Sequence, residues 1–172
     1  GADAHAGDTE TSSLLAAASE AGAILGGVTR SERRAVREYG WLLGLAFQLV
    51  DDALDYSGSE RDLGKAPLTD VAEGKLTLPL IATLKRCSTG ERDAISSLLK
   101  DFALQSAAGR SPDRESVQRV AECVERHRGV ESTLARAQLL GSQARSQIEP
   151  FVDCEAKHAM LALADFVVGR QS

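Results

Sequence analysis

The fold is indicated most clearly by residues 41–56, WLLGLAFQLVDDALDY. The first ten of these residues are apolar except for one glycine and Gln48, and a helix that is apolar nearly all round lies in a protein core. Three aspartates, Asp51, Asp52 and Asp55, follow the apolar run directly. The stretch therefore predicts a buried helix that ends with carboxylates at the mouth of a core.

The rest of the sequence also has the character of helices. Alanine and leucine dominate, there are four prolines, and aromatic residues make up 4%. No run of β-branched residues alternates with a period of two, as a half-buried strand would require, so we predict an all-α fold. Pro112, which follows Ser111, is expected at the first position of its helix. The predicted helices cover residues 9–24, 31–56, 71–85, 90–101, 112–128, 130–148 and 154–168, after a disordered lead-in at residues 1–8.

The charge of the chain limits its partners. The formal net charge is −5, and we find no basic patch of the kind that binds nucleic acid. The longest apolar run is about half of the ~20 residues that a membrane-spanning helix needs. We therefore expect neither a nucleic-acid partner nor a transmembrane segment.

The three cysteines, Cys87, Cys123 and Cys154, are far apart in the sequence. Without a C-x-x-C spacing they predict neither a zinc site nor a disulfide framework. Free thiols fit a reducing compartment best.

The aspartate cluster is the main chemical feature of the sequence. Asp51 and Asp55 are one helical turn apart and share a face, and Asp52 is turned by about 100°. Three carboxylates at a helix C-terminus repel one another and the negative end of the helix dipole. A Mg²⁺ ion would offset this repulsion, because Mg²⁺ takes oxygen ligands from one or two carboxylates, water and phosphate. The alternative is a solvated acidic helix end.

Two lysines follow the aspartates at a short distance in the sequence. Lys65 comes after a glycine in a polar loop, and Lys75 comes after a second glycine, with Asp70 between them. Ammonium groups beside a carboxylate-bound metal ion would suit a diphosphate. Either lysine alone would be read as a solvated surface charge.

Several of these elements recur in a fixed order that resembles the second aspartate-rich region of trans-isoprenyl diphosphate synthases, the long-chain polyprenyl group above all. The residues that carry the resemblance are 44–56 (GLAFQLVDDALDY), 63–65 (LGK), Asp70 and 73–80 (EGKLTLPL), with 21–27 (AGAILGG) and the helical C-terminal tail. The resemblance covers the chain from about residue 9 onward.

The resemblance implies a helical bundle of the isoprenoid synthase type, present here as its C-terminal half over residues 9–172. It implies a prenyltransferase in which Mg²⁺ binds the diphosphate of an allylic substrate, whose cation is attacked by isopentenyl diphosphate. The metal-binding and catalytic residues would be Asp51, Asp52 and Asp55. The substrate-binding residues would be Gln48, Lys65, Lys75, Thr11 and Phe47.

The sequence departs from the family pattern at two places. The first aspartate-rich motif of the family is absent, since the chain holds a single D-D-x-x-D. The family also carries a Lys-Thr pair where Glu10 and Thr11 stand. We therefore expect a fragment of a longer chain that is inactive alone.

Two other interpretations stay open from the sequence. The chain could be a non-catalytic helical subunit of a heteromeric prenyltransferase, or, more remotely, a class I terpene cyclase. Helix faces that the missing half would cover should form an exposed apolar patch and drive homo- or hetero-oligomer formation. Bacterial cytoplasm and mitochondrion both fit such an enzyme.

Overall fold

The structure, a computed structural model, describes residues 6–57 and 68–170, with side chains from Glu10 onward. The described residues are helical and contain no strand, which confirms the all-α prediction. The helices are α1 (Ala6–Leu25), α2 (Arg30–Ser57), α3 (Thr69–Ala72), α4 (Leu78–Arg86), α5 (Thr89–Ala107), α6 (Arg114–Arg126), α7 (Gly129–Ile148) and α8 (Glu155–Gly169).

The chain divides into two compact units. Unit 1 contains residues 1–50 and 134–172, and unit 2 contains residues 51–133. Within the described ranges, no helix is both long enough and apolar enough to cross a membrane.

The core of unit 1 joins α2, α7 and α8. Its buried residues are Tyr39, Leu42, Leu43, Ala46, Leu140, Ala144, Ile148, Ala164 and Val167. The Tyr39 hydroxyl donates a hydrogen bond of 2.7 Å to the carbonyl oxygen of Met160, and so links α2 to α8. Burial raises the pKa of Tyr39 to about 12, so the phenol stays protonated and keeps this donor.

Helix α1 packs directly against α2 because α2 carries small residues at the contact. A Cβ atom on Gly44 would lie 2.5 Å from the Cα atom of Ser12, and one on Gly40 would collide with the carbonyl oxygen of Leu15. Any side chain at these positions would therefore push the two helices apart.

The core of unit 2 is formed by α3 to α6. Its buried residues are Val71, Leu80, Ile95, Leu99, Phe102, Val117, Val120, Cys123 and Val124. Tyr56, at the end of α2, packs against this cluster. The apolar positions of α6 recur at helical spacing, which explains why one face of this helix is buried.

The predicted helix 71–85 is wrong, because the structure has α3 and α4 there with a break at residues 73–77. Gly74 has a φ of +72°, a left-handed conformation that favours glycine. Its backbone also lies close to α5, since a Cβ atom there would be 2.8 Å from the Ala103 nitrogen. Helix α4 then restarts with Pro79 in its first turn.

Two helix starts also differ from the sequence prediction by more than one residue. Helix α1 begins at Ala6, three residues before the predicted start. Helix α6 begins after Asp113, whose carboxylate accepts a hydrogen bond of 2.8 Å from the Ser116 amide. Asp113 is therefore the N-cap, and Pro112 lies outside the helix; Ser111 is an equally good capping residue by type, so capping preference alone does not choose between the two starts. The division into lead-in and helical half stays a prediction.

Candidate functional site

The aspartate cluster occupies the last two turns of α2, as the sequence predicts. Asp51 is half-buried, Asp52 is 5% exposed and Asp55 is fully buried. Charged carboxylates are rarely this buried unless they interact with hydrogen-bond donors or cations. Their burial separates this cluster from an ordinary acidic helix end in solvent.

Asp55 connects the end of α2 to the start of α3. Its Oδ2 atom accepts a hydrogen bond of 3.0 Å from the Asp70 amide, and its carbonyl oxygen accepts one of 2.9 Å from the Leu68 amide. These bonds fix the orientation of the Asp55 carboxylate. They also place Asp70, an acidic residue of the resembling motif, directly beside the cluster.

Lys75 belongs to the same network through Asp70. Its Nζ atom lies 3.1 Å from Asp70 Oδ1 and 2.7 Å from Glu73 Oε2. The bond to Glu73 is the main cause that raises the pKa of Lys75, and Asp70 adds to it. The lysine is therefore fully charged at neutral pH. It is held by two acidic neighbours, where the sequence suggested a lysine directed at the diphosphate.

The charge balance and the chemistry of the donor set fit a hard divalent cation. Five carboxylates (Asp51, Asp52, Asp55, Asp70 and Glu73) accompany Lys75 in this segment. All of the candidate ligand atoms are oxygens, which Mg²⁺ and Ca²⁺ prefer. Asp55 already has one oxygen engaged by a backbone amide, so Asp51 and Asp52 are the better candidates for direct coordination.

Tyr56 is a site residue that sequence reasoning missed. Burial raises the pKa of its phenol, and the negative charges of Asp55, Asp70 and Asp52 raise it further. The Thr77 hydroxyl beside it acts in the opposite direction. Its place directly after Asp55 could have pointed to it, but only the structure shows that Asp52 and Asp70 also act on it.

The other predicted site residues lie on helices of unit 1 or outside the described residues. Thr11 is half-buried on α1, next to the exposed Glu10. Gln48 is half-buried on α2. The guanidinium of Arg170 lies over the ring of Phe47, with its Cζ atom 4.5 Å from the ring centroid. No sequence pattern indicated this cation–π contact, because the two residues are distant in the chain.

Lys65 lies outside the described residues. Its assignment to the diphosphate stays a prediction, as do the roles given to the other site residues.

The model of the polyprenyl synthetase family matches residues 7–110, more than half of the sequence. This chain belongs to that family.

Two relatives of this chain agree with this assignment. A short chain isoprenyl diphosphate synthase from Methanothermobacter thermautotrophicus is 36% identical over 162 residues, which cover 94% of this chain and 47% of that protein. An octaprenyl diphosphate synthase from Haemophilus influenzae is 33% identical over 162 residues, which cover 94% of this chain and 46% of that protein. The chain therefore spans about half the length of the curated relatives it matches.

A solved structure shows the same fold. The crystal structure of a polyprenyl synthase from Caulobacter crescentus, complexed with calcium and isoprenyl diphosphate, superposes with a TM-score of 0.80 at 35% identity. The match covers 96% of this chain and 48% of that one.

Proposed function

We propose that this chain supplies the C-terminal half of an all-trans polyprenyl diphosphate synthase, which condenses isopentenyl diphosphate with an allylic diphosphate. The observation that carries the proposal is the buried carboxylate cluster of Asp51, Asp52 and Asp55 in a chain of the polyprenyl synthetase family. The names of its relatives support this chemistry. The chain spans about half of their length, so we propose that activity requires the other half of the enzyme.

The proposed reaction breaks the allylic carbon–oxygen bond, forms a carbon–carbon bond to isopentenyl diphosphate and releases a proton. Its demand on the protein is to stabilise the negative charge that builds up on the departing diphosphate. Asp51 and Asp52 would hold Mg²⁺, which when bound neutralises part of that charge. The calcium in the Caulobacter crescentus complex supports a divalent ion in this family.

The remaining residues bind and orient in this proposal. Asp55 would hold the cluster in place through the Asp70 amide. Lys75 and Lys65 would contact the diphosphate, Lys75 after exchanging one of its acidic partners for a phosphate oxygen. Gln48 and Thr11 would bind substrate, and Phe47 would lie near the prenyl chain. These three roles rest on the resemblance.

A non-catalytic partner subunit is the alternative, and Glu10 is the observation that favours it. Glu10 is an exposed acid on α1 where the family carries a substrate-binding lysine. Such a subunit would still associate with a catalytic chain. Exposed apolar side chains on α1, Leu14 at 69% and Leu25 at 89% exposure, support association of either kind. A sedimentation experiment that shows only monomers would contradict self-association through these side chains.

The test is calorimetric titration of preformed Mg²⁺–pyrophosphate into the chain. We expect binding that Asp51→Ala abolishes and that Asp93→Ala, an exposed aspartate on α5, leaves unchanged. Binding that survives Asp51→Ala, or that occurs equally without Mg²⁺, would contradict the assigned metal site. Restored prenyl transfer upon addition of a matching N-terminal half would favour the enzyme over the partner subunit.

A further inference from the structure

Unit 2 contains a second cluster of metal-ligating side chains, formed by Glu91, Cys123 and His127. One carboxylate oxygen, the thiol sulfur and one imidazole nitrogen all lie within 4.8 Å of one another. Cys123 is 5% exposed, and the side chains of His127 and Glu91 are 20% and 31% exposed. The three ligands therefore meet at the edge of the core, where an ion from solvent can reach them.

The local structure holds each of these side chains in place. Cys123 and His127 are four residues apart, so they share one face of the last turn of α6. Glu91 lies in the first turn of α5, where its Oε2 atom accepts hydrogen bonds from the Ser88 amide (3.0 Å) and hydroxyl (2.8 Å). This capping box leaves the other oxygen, Oε1, facing His127 Nε2 at 3.3 Å.

The distances suit tetrahedral coordination. Two ligands with metal–nitrogen and metal–oxygen distances of roughly 2.0–2.1 Å lie about 3.3 Å apart around a tetrahedral Zn²⁺ ion, which is the distance between His127 Nε2 and Glu91 Oε1. A thiolate at about 2.3 Å from the ion would be about 3.6 Å from each of them. The sulfur lies within 4.8 Å of the other two ligand atoms, so coordination would require it to approach them by about 1 Å at most.

The donor types select the ion. Thiolate and imidazole favour Zn²⁺ over Mg²⁺, which prefers oxygen. Arg126 Nη1 lies 3.1 Å from Glu91 Oε1 and opposes a cation, but its side chain is 65% exposed and can turn to solvent. Burial raises the pKa of the Cys123 thiol, and Glu91 and Cys87 raise it further, so binding would release a proton.

We propose that Glu91, Cys123 and His127 form a Zn²⁺ site that ties the start of α5 to the end of α6, with a water molecule as the fourth ligand. The site is separate from the aspartate cluster and does not depend on the proposed prenyl transfer. Its effect is on stability, because an ion that binds the folded chain stabilises it by mass action.

Cobalt is the probe that tests this site. Co²⁺ is titrated into the reduced chain in the presence of excess Mg²⁺, which occupies carboxylate-only sites. We expect one Co²⁺ per chain with thiolate-to-cobalt charge-transfer absorption, displaced by Zn²⁺. Cys123→Ser should remove this absorption. His127→Gln and Glu91→Gln should weaken binding by about 100-fold or more, since loss of even an outer partner costs roughly 10–100-fold.

The chain offers matched controls in Cys154→Ser and His158→Gln. Both residues are exposed, and both variants should keep the absorption and the affinity. Far-UV circular dichroism checks that each variant is folded, and Glu91→Gln serves as the decisive variant if Cys123→Ser unfolds. Absence of charge-transfer absorption in the unmodified chain, its persistence in Cys123→Ser, or an unchanged affinity in Glu91→Gln would overturn the proposal.

Discussion

Gly74→Ala tests whether the break between α3 and α4 is held by backbone conformation and close packing together. Gly74 has a φ of +72°, and a left-handed conformation costs a residue with a side chain roughly 1–2 kcal/mol. The added methyl group would also lie 2.8 Å from both the Ala103 nitrogen and the Leu99 carbonyl oxygen. Crowding in a packed interior costs about 1–3 kcal/mol. We therefore expect the free energy of unfolding to fall by about 2–5 kcal/mol.

Gly109→Ala is the control that separates the two causes. Gly109 has a φ of +68°, and nothing lies within 4 Å of a Cβ atom built there. The free energy of unfolding of Gly109→Ala should therefore fall only by the conformational cost of roughly 1–2 kcal/mol. Urea denaturation followed by circular dichroism measures both variants, with the midpoint shifted and the slope unchanged. Equal losses in the two variants would refute the packing argument at Gly74.

The same variant should also weaken binding at the aspartate cluster. The Lys75 amide donates a hydrogen bond of 2.9 Å to the Asp70 carbonyl oxygen across this turn. A displaced turn therefore moves Lys75 and Asp70 together. Mg²⁺–pyrophosphate titration should show weaker binding for Gly74→Ala and unchanged binding for Gly109→Ala.

Three further substitutions test individual contacts. Asp55→Ala leaves the Asp70 amide without its acceptor, and should lower the free energy of unfolding by about 1–3 kcal/mol in urea denaturation. Asp55→Asn keeps an acceptor oxygen, so its free energy of unfolding should fall by less. An equal fall in the two variants would contradict the role of this bond. Tyr39→Phe removes the hydrogen bond to Met160 and should cost about 1 kcal/mol by the same measurement, whereas an unchanged midpoint would show that water replaces the bond. The bonds from Ser88 hold the pKa of Glu91 at about 2, below its ordinary value of 4.5, so the folded chain should lose stability as the pH falls from about 4.5 to about 2. Glu91→Gln should flatten that part of the profile of midpoint against pH, and an unchanged profile would assign the acid sensitivity to other groups.

Much of the helical architecture follows from local sequence patterns. The apolar run before the aspartates predicted α2 to within a residue or two of its observed bounds, Arg30–Ser57. Helix propensity, turn residues and the periodic spacing of apolar residues depend on near neighbours along the chain. They can therefore be recognised in the sequence without knowledge of tertiary contacts. The carboxylate cluster was predicted for the same reason, because its three members lie within one turn and a half of a single helix.

The break at Gly74 and the Asp113 cap were not predicted, because each depends on a choice between local alternatives. A helix through residues 71–85 satisfies the apolar period, but Gly74 lies against α5 in the folded chain. That contact is made by residues about 25–29 positions further along the sequence. Gly74 and Pro79 are both unfavourable inside a helix, so local propensity and this distant contact act together to break the helix.

The sequence by itself determined the all-α class and most of the helices, the family resemblance and the position of the aspartate cluster, because each depends on residues that are close together in the chain. Only the tertiary structure decided which distant groups meet. In the folded chain the Asp70 amide donates a hydrogen bond to Asp55, and the guanidinium of Arg170 lies over the ring of Phe47. Glu91 lies beside Cys123 and His127 of another helix. The cysteine spacing indicates no zinc site, and the site that we propose takes its third ligand from a different helix. Contacts of this kind arise when apolar faces pack and carry their polar neighbours together, so no single stretch of sequence contains them.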